Sequence, residues 1–140
     1  MSESGPLDLS GRWDGTFAYP SGVGPVTPFL AEIIEQGGTL SGSILEPELA
    51  HGSGEAISAV LSGHRAGTAV DFTKTYRGQR LGYENPVDYV GTLSADGLRI
   101  AGVWSLLHLD GTFEMHRDAR QAAMEEREGE ETITAPTASP

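Results

Sequence analysis

Cysteine is absent from the 140 residues, which excludes a disulfide framework, a thiolate nucleophile and any cysteine-based zinc site. Basic residues are scarce and scattered. Nine Lys and Arg stand against twenty Asp and Glu, leaving a net charge of −11. A field of that sign repels phosphate backbones, so no nucleic-acid partner is expected. No apolar run reaches membrane-spanning length, and the start Met1-Ser2-Glu3-Ser4 has neither a basic segment nor an apolar stretch behind it. A cytoplasmic protein with no membrane partner is therefore the expectation. The Gly-rich stretches SGVG (21–24) and GSGE (52–55) lead into no helix whose N-terminus could hold a phosphate, and no cofactor is expected.

What is present is short alternation of apolar and polar residues, punctuated by Gly, Pro, Asp and Asn, with no internal stretch that sustains a helical period. Eight such runs cover 9–19, 29–36, 39–46, 56–64, 68–76, 87–94, 98–107 and 111–117. Gly37-Gly38, Arg65-Ala66-Gly67, Asp96-Gly97 and Asp110-Gly111 read as hairpin turns. Consecutive strands on short turns make an antiparallel meander. Eight of them lose their exposed edges by closing into an up-and-down barrel, whereas a two-sheet sandwich would need a long crossover. The expected fold is an all-β, eight-stranded antiparallel barrel. At 38% apolar the chain suits one core: a flexible start over 1–8, a barrel over 9–117 and an acidic tail over 118–140. The tail carries helix formers around Ala122–Arg127 and would be partly helical before becoming disordered.

Period-2 alternation gives each strand one inward face. The inward set runs Trp13, Gly15, Phe17, Tyr19; Leu40, Gly42, Ile44, Glu46; Val70, Phe72, Lys74, Tyr76; Val87, Tyr89, Gly91; Ile100, Gly102, Trp104; Phe113, Met115. Glu46, Lys74 and Tyr89 are the polar members. Inside a small barrel they must pair with one another or with a ligand, unless Glu46 and Lys74 reach solvent from their strand ends.

The strings LSGRWDG, GGTLSGSI, AVLSGHRAGTAVDFTKTYR and DYVGTLSADGLRIAGVWSLL, with a last strand closing on Arg117, resemble in order and spacing the avidin and streptavidin family. More broadly they are similar to the calycin-type barrels that include the lipocalins. The resemblance spans 9–117. It implies an eight-stranded barrel with a ligand cup at one end and with Trp13 packed against Arg117 at the other. It also implies that the biotin site is largely not retained. Gly15 and Ile44 stand where the family carries an Asn and a Tyr that grip biotin, Phe72 stands for a Trp wall, and Trp104 is kept.

Other chemistry is thin. His51, His64, His108 and His116 are dispersed without metal-ligand spacing, and the strand serines lie in no nucleophile elbow. No catalytic residue or metal ligand is assigned. The expected function is non-enzymatic binding of a small, largely apolar ligand between Tyr19, Glu46, Phe72, Lys74, Tyr89 and Trp104, with Lys74 able to take an anionic group on it. Two alternatives stay open: a small isomerase or cyclase using Glu46 or Lys74 as acid or base, and an interaction module with a filled barrel. Outward Val60, Val90 and Val103 also suit a wall-to-wall homo-oligomer, a dimer or tetramer.

Overall fold

Alternating apolar and polar residues build strands with one dry and one wet face, and two-residue turns oblige neighbours in sequence to pair. The computed structural model describes residues 8–20, 26–49, 53–78 and 85–118. Its strands are β1 (Gly11–Ala18), β2 (Thr27–Gln36), β3 (Thr39–Pro47), β4 (Ala56–Ala66), β5 (Ala69–Tyr76), β6 (Val87–Leu93), β7 (Arg99–Leu106) and β8 (Leu109–His116). Each pairs antiparallel with its successor. β8 pairs back onto β1, with Gly15 opposite Met115 and Phe17 opposite Phe113, so the barrel closes. There is no helix among the described residues. The expected tail helix, His51 and the 21–25 and 79–84 segments lie outside them.

The inward set of the sequence is the core. Trp13, Leu40, Ile44, Val70, Phe72, Tyr89, Ile100, Trp104, Phe113 and Met115 are all buried, joined by Phe29, Ala31 and Ile33 of β2 and Ala59 and Leu61 of β4. Two ends result. The turns Gly37-Gly38, Gly67-Thr68 and 94–98 lie at one end, and the longer connections after β1, β3 and β5 lie at the other. The tight end is closed by Trp13 and Arg117. The guanidinium sits 4.6 Å from the indole centroid, and it donates to the carbonyls of Gly97, Ser10 and Asp8 at 3.1, 3.3 and 2.7 Å. Trp13 Nε1 donates to Leu9 O at 2.9 Å. Beside them Glu35 takes a two-pronged contact from Arg65 and accepts the Leu9 N–H, so the incoming chain is tied across the plug.

Three details depart from the sequence reading, the first being the Arg65-Ala66-Gly67 turn, which is Gly67-Thr68 because Arg65 and Ala66 still pair within β4. β2 begins at Thr27 rather than Phe29, because Pro28 falls in its first residues, where a missing N–H is tolerated. The last hairpin turns at Leu107-His108, not at Asp110-Gly111. Gly111 lies inside β8 opposite Trp104, and a Cβ there would run into the Ala18 carbonyl and come within 2.6 Å of the Trp104 ring. That glycine admits an indole, and its Asp neighbour only mimics a turn. The true turn puts Leu107 at φ 56 with its side chain 75% exposed, a left-handed conformation that costs a non-glycine residue about 1–2 kcal/mol.

Urea unfolding checks both points. Gly111→Ala is expected to lower stability by about 1–3 kcal/mol, the usual cost of overpacking. Leu107→Gly is expected to raise it by roughly 0.5–1 kcal/mol, since strain is relieved and little burial is lost.

Candidate functional site

At the open end the alternation that brings Ile44 and Phe72 inward also brings in the next inward residues, Glu46 and Lys74. They do not reach solvent: Glu46 is 4% and Lys74 2% exposed. Lys74 Nζ donates to Glu46 Oε1 at 2.9 Å, and the Tyr76 hydroxyl donates to Glu46 Oε2 at 2.8 Å. Both carboxylate oxygens are therefore engaged across β4. The ammonium has a second environment of rings, with Phe17, Tyr76 and Tyr89 centroids at 4.5, 4.7 and 5.4 Å.

An ion pair at this depth is not explained by stability, because desolvation of two charges offsets most of their attraction and an apolar pair of similar volume would do as well. Burial is the larger influence on Lys74. It holds the ammonium below its ordinary value although the Glu46 charge and hydrogen bond pull the other way. Burial, then the Glu46 charge, then Tyr19 push the Tyr89 phenol well above the ordinary 10.0. Tyr19 is raised by burial and by Glu46.

Above the ammonium is a cavity of about 50 Å³ lined by Phe17, Tyr19, Lys74, Tyr76, Asn85, Val87, Tyr89, Trp104 and Leu106. Its walls are braced. Trp104 meets Tyr19 edge-on at 5.1 Å, and its Nε1 donates to Ala18 O at 2.9 Å. Tyr89 stacks on Phe72 at 4.8 Å with the rings 9° apart. The volume is that of one or two waters, at about 30 Å³ each, and far below the roughly 300–1,000 Å³ of drug-sized pockets. Below this level the lumen is filled by side chains.

Of the six residues singled out in the sequence, Tyr19, Lys74, Tyr89 and Trp104 line this cup together. Glu46 stands behind Lys74, and Phe72 lies beneath Tyr89, so neither faces the cavity. Phe17, Tyr76, Val87, Asn85 and Leu106 were not singled out. The first three already had inward parity, and the Tyr76 hydroxyl is the group that orients Glu46. A further signal lies in plain composition: Lys74 is the single lysine of the chain, the other eight basic residues being arginine. Among the described residues no group of three or more His, Asp or Glu is placed to hold a metal ion.

No family model matches the chain, and no curated protein matches it.

The buried phenol and ammonium act on alkaline stability with opposite signs. Lys74 has its folded value below the unfolded 10.5, so the folded chain binds fewer protons and stability rises with pH until 10.5 is passed. Tyr89 keeps its proton in the fold while the unfolded chain sheds it above 10.0, so stability falls as pH rises beyond that value. Above pH 10.5 only the fall is left, with a limiting slope of about 1.4 kcal/mol per pH unit for each retained proton. Tyr89→Phe is expected to flatten that limb in urea midpoints measured across alkaline pH; an unchanged slope would remove Tyr89 from the account.

Proposed function

We propose that the chain is a non-enzymatic binding protein whose open end takes a small, largely apolar ligand, or the tip of a larger one, bearing a hydrogen-bond acceptor. The observation that carries this is Lys74. Its ammonium carries three donors, of which one is directed at Glu46 Oε1, and it forms the base of an aromatic cup rather than lying at the surface. Polar groups aimed into a mostly apolar recess are how small-ligand sites are built. The adjacent Glu46 carboxylate neutralises the ammonium and raises the phenols, which favours a neutral carbonyl or amide oxygen over a full anion. The cavity volume limits the part that enters to about two or three heavy atoms, given the space one water takes. The resemblance to the avidin-type barrels, with their cup at the end opposite the Trp–Arg plug, supports the choice of end.

A second reading concerns the outer wall. Val90 and Val103 are directly paired across β6 and β7 and are 56% and 52% exposed. Val60 and Thr112 share that outward parity. Such a patch favours contact with a second copy of the chain.

Trp104 emission tests the first reading, because Trp13 is sealed at the opposite end and Trp13→Phe controls for it. Titration with acetamide, propionamide and acetate is expected to give a saturable shift with the amides. In Glu46→Gln/Lys74→Met the affinity is expected to fall about tenfold to a hundredfold, the worth of a charged hydrogen bond. Emission unmoved by every compound and shielded from iodide would sink the binding proposal. Sedimentation velocity tests the wall: Val90→Asp/Val103→Asp is expected to yield monomer where the parent chain self-associates, and a monomeric parent at high concentration would refute it.

A further inference from the structure

We propose that Lys74 is a reactive amine that condenses reversibly with a small aldehyde entering the cup, giving a protonated Schiff base with Glu46 as its counter-ion. This rests on the cup being a binding site and adds a covalent step to it.

The argument begins with the choice of cation. Where this chain needs a fixed positive charge against a carboxylate it uses arginine: Arg65 on Glu35 at 2.7 Å with both side chains largely buried, and Arg99 on Glu114 at 3.1 Å at the surface. Guanidinium stays charged at any pH a protein meets and does not form imines, whereas an amine in a dry site can give up its proton and become a nucleophile. The one lysine of the chain lies at the base of the cup inside the barrel, 2% exposed, whereas the arginines that border other recesses, Arg12 and Arg99, are exposed. A counter-ion role alone would not call for this substitution of lysine for arginine.

The neighbours supply the remaining chemistry. Glu46 Oε1 lies 2.9 Å from Nζ, within range to take its proton, and the Tyr76 hydroxyl fixes the carboxylate through Oε2. The rings of Phe17, Tyr76 and Tyr89 around Nζ stabilise a cation there before and after reaction. The roughly 50 Å³ of free volume admits the carbonyl end of a small compound such as acetaldehyde and excludes an aromatic aldehyde. Burial that lowers the ammonium's affinity for its proton works in the same direction.

The step balances without an oxidant or reductant. Glu46 takes a proton from the Lys74 ammonium. The free amine attacks the aldehyde carbon, the N–C bond forms, the C=O π pair moves to oxygen, and the now cationic nitrogen passes one of its two protons to that oxygen, giving a neutral carbinolamine. The proton held by Glu46 returns to that hydroxyl, the C–O bond breaks and water leaves. The nitrogen lone pair closes the C=N bond. The net change is aldehyde plus ammonium giving iminium plus one water, with the charge unchanged.

Trapping tests it on the full chain. Acetaldehyde with cyanoborohydride near neutral pH converts the imine into a stable ethylamine, and peptide mapping assigns it, since Lys74 and the chain's α-amino group are the only amines. Lys74 in the folded chain is expected to be alkylated at least about tenfold faster than in the urea-unfolded chain, opposite to the slowing that burial of an ordinary lysine produces. Benzaldehyde is expected to leave it unlabelled, and Glu46→Gln, which keeps the shape of the hydrogen bonds, to slow acetaldehyde labelling about tenfold or more. A folded chain in which Lys74 is labelled no faster than when unfolded, or not at all, overturns the inference. Acetamide, of similar size but unable to form an imine, separates the two readings. A saturable Trp104 shift with acetamide and no trapped ethyl group leaves the binding site standing and removes the covalent step. Fast, Glu46-dependent trapping without an acetamide shift does the reverse.

Discussion

Everything in this molecule depends on how little room an eight-stranded barrel encloses. Once β8 pairs with β1, the lumen is only wide enough for the side chains of its own walls, so each inward position is a decision about volume. Rings occupy most of it, and glycine stands where a ring or a neighbouring strand leans in. Gly91 and Gly102 face each other across β6 and β7, and a Cβ on either would strike backbone of the partner strand. Gly111 yields its space to Trp104. Filling to this extent makes the core continuous from Trp13 to Tyr89, and it leaves the recess of Phe17, Tyr19 and Lys74 at the upper rim of the lumen.

The same confinement explains the distribution of charge. At the closed end a guanidinium is spread over an indole and three backbone carbonyls. At the open end a compact ammonium is met by one carboxylate oxygen and three ring faces. The first arrangement is geometrically saturated and locks the chain entry. The second joins Lys74, Tyr76, Tyr19 and Tyr89 through a single carboxylate, which holds the first two by hydrogen bonds and acts on the last two through its charge.

Much of this was legible in the sequence, for identifiable reasons. Alternation is local, so the inward face of β1, β3, β5, β6, β7 and β8 could be read residue by residue, and closure followed from the sequential antiparallel order, with no link long enough for a crossover strand. The Lys74–Glu46 contact was one of the alternatives that the sequence left open, and nothing local chose it. The two are 28 residues apart, and meeting depends on the registers of β3, β4 and β5 being summed. Tyr76 had the right parity but gave no sign that its hydroxyl would find Glu46. The Asp110-Gly111 turn failed because glycine serves two purposes, a positive φ and a missing Cβ, and a local string does not tell them apart. The size of the cup was beyond reach for a related reason: it is set by the tilt of Tyr89 on Phe72 and of Tyr19 on Trp104, which are tertiary angles.

The polarity of the chain ends has a spatial outcome. Arg117 ties Asp8 and Ser10 to the start of the last segment, so both ends of the described barrel leave side by side from the sealed floor. At these two points the barrel is held as a goblet is by its stem, with the rim at the far end. The two ends could be spliced together and the chain reopened at Leu107-His108 without severing any strand.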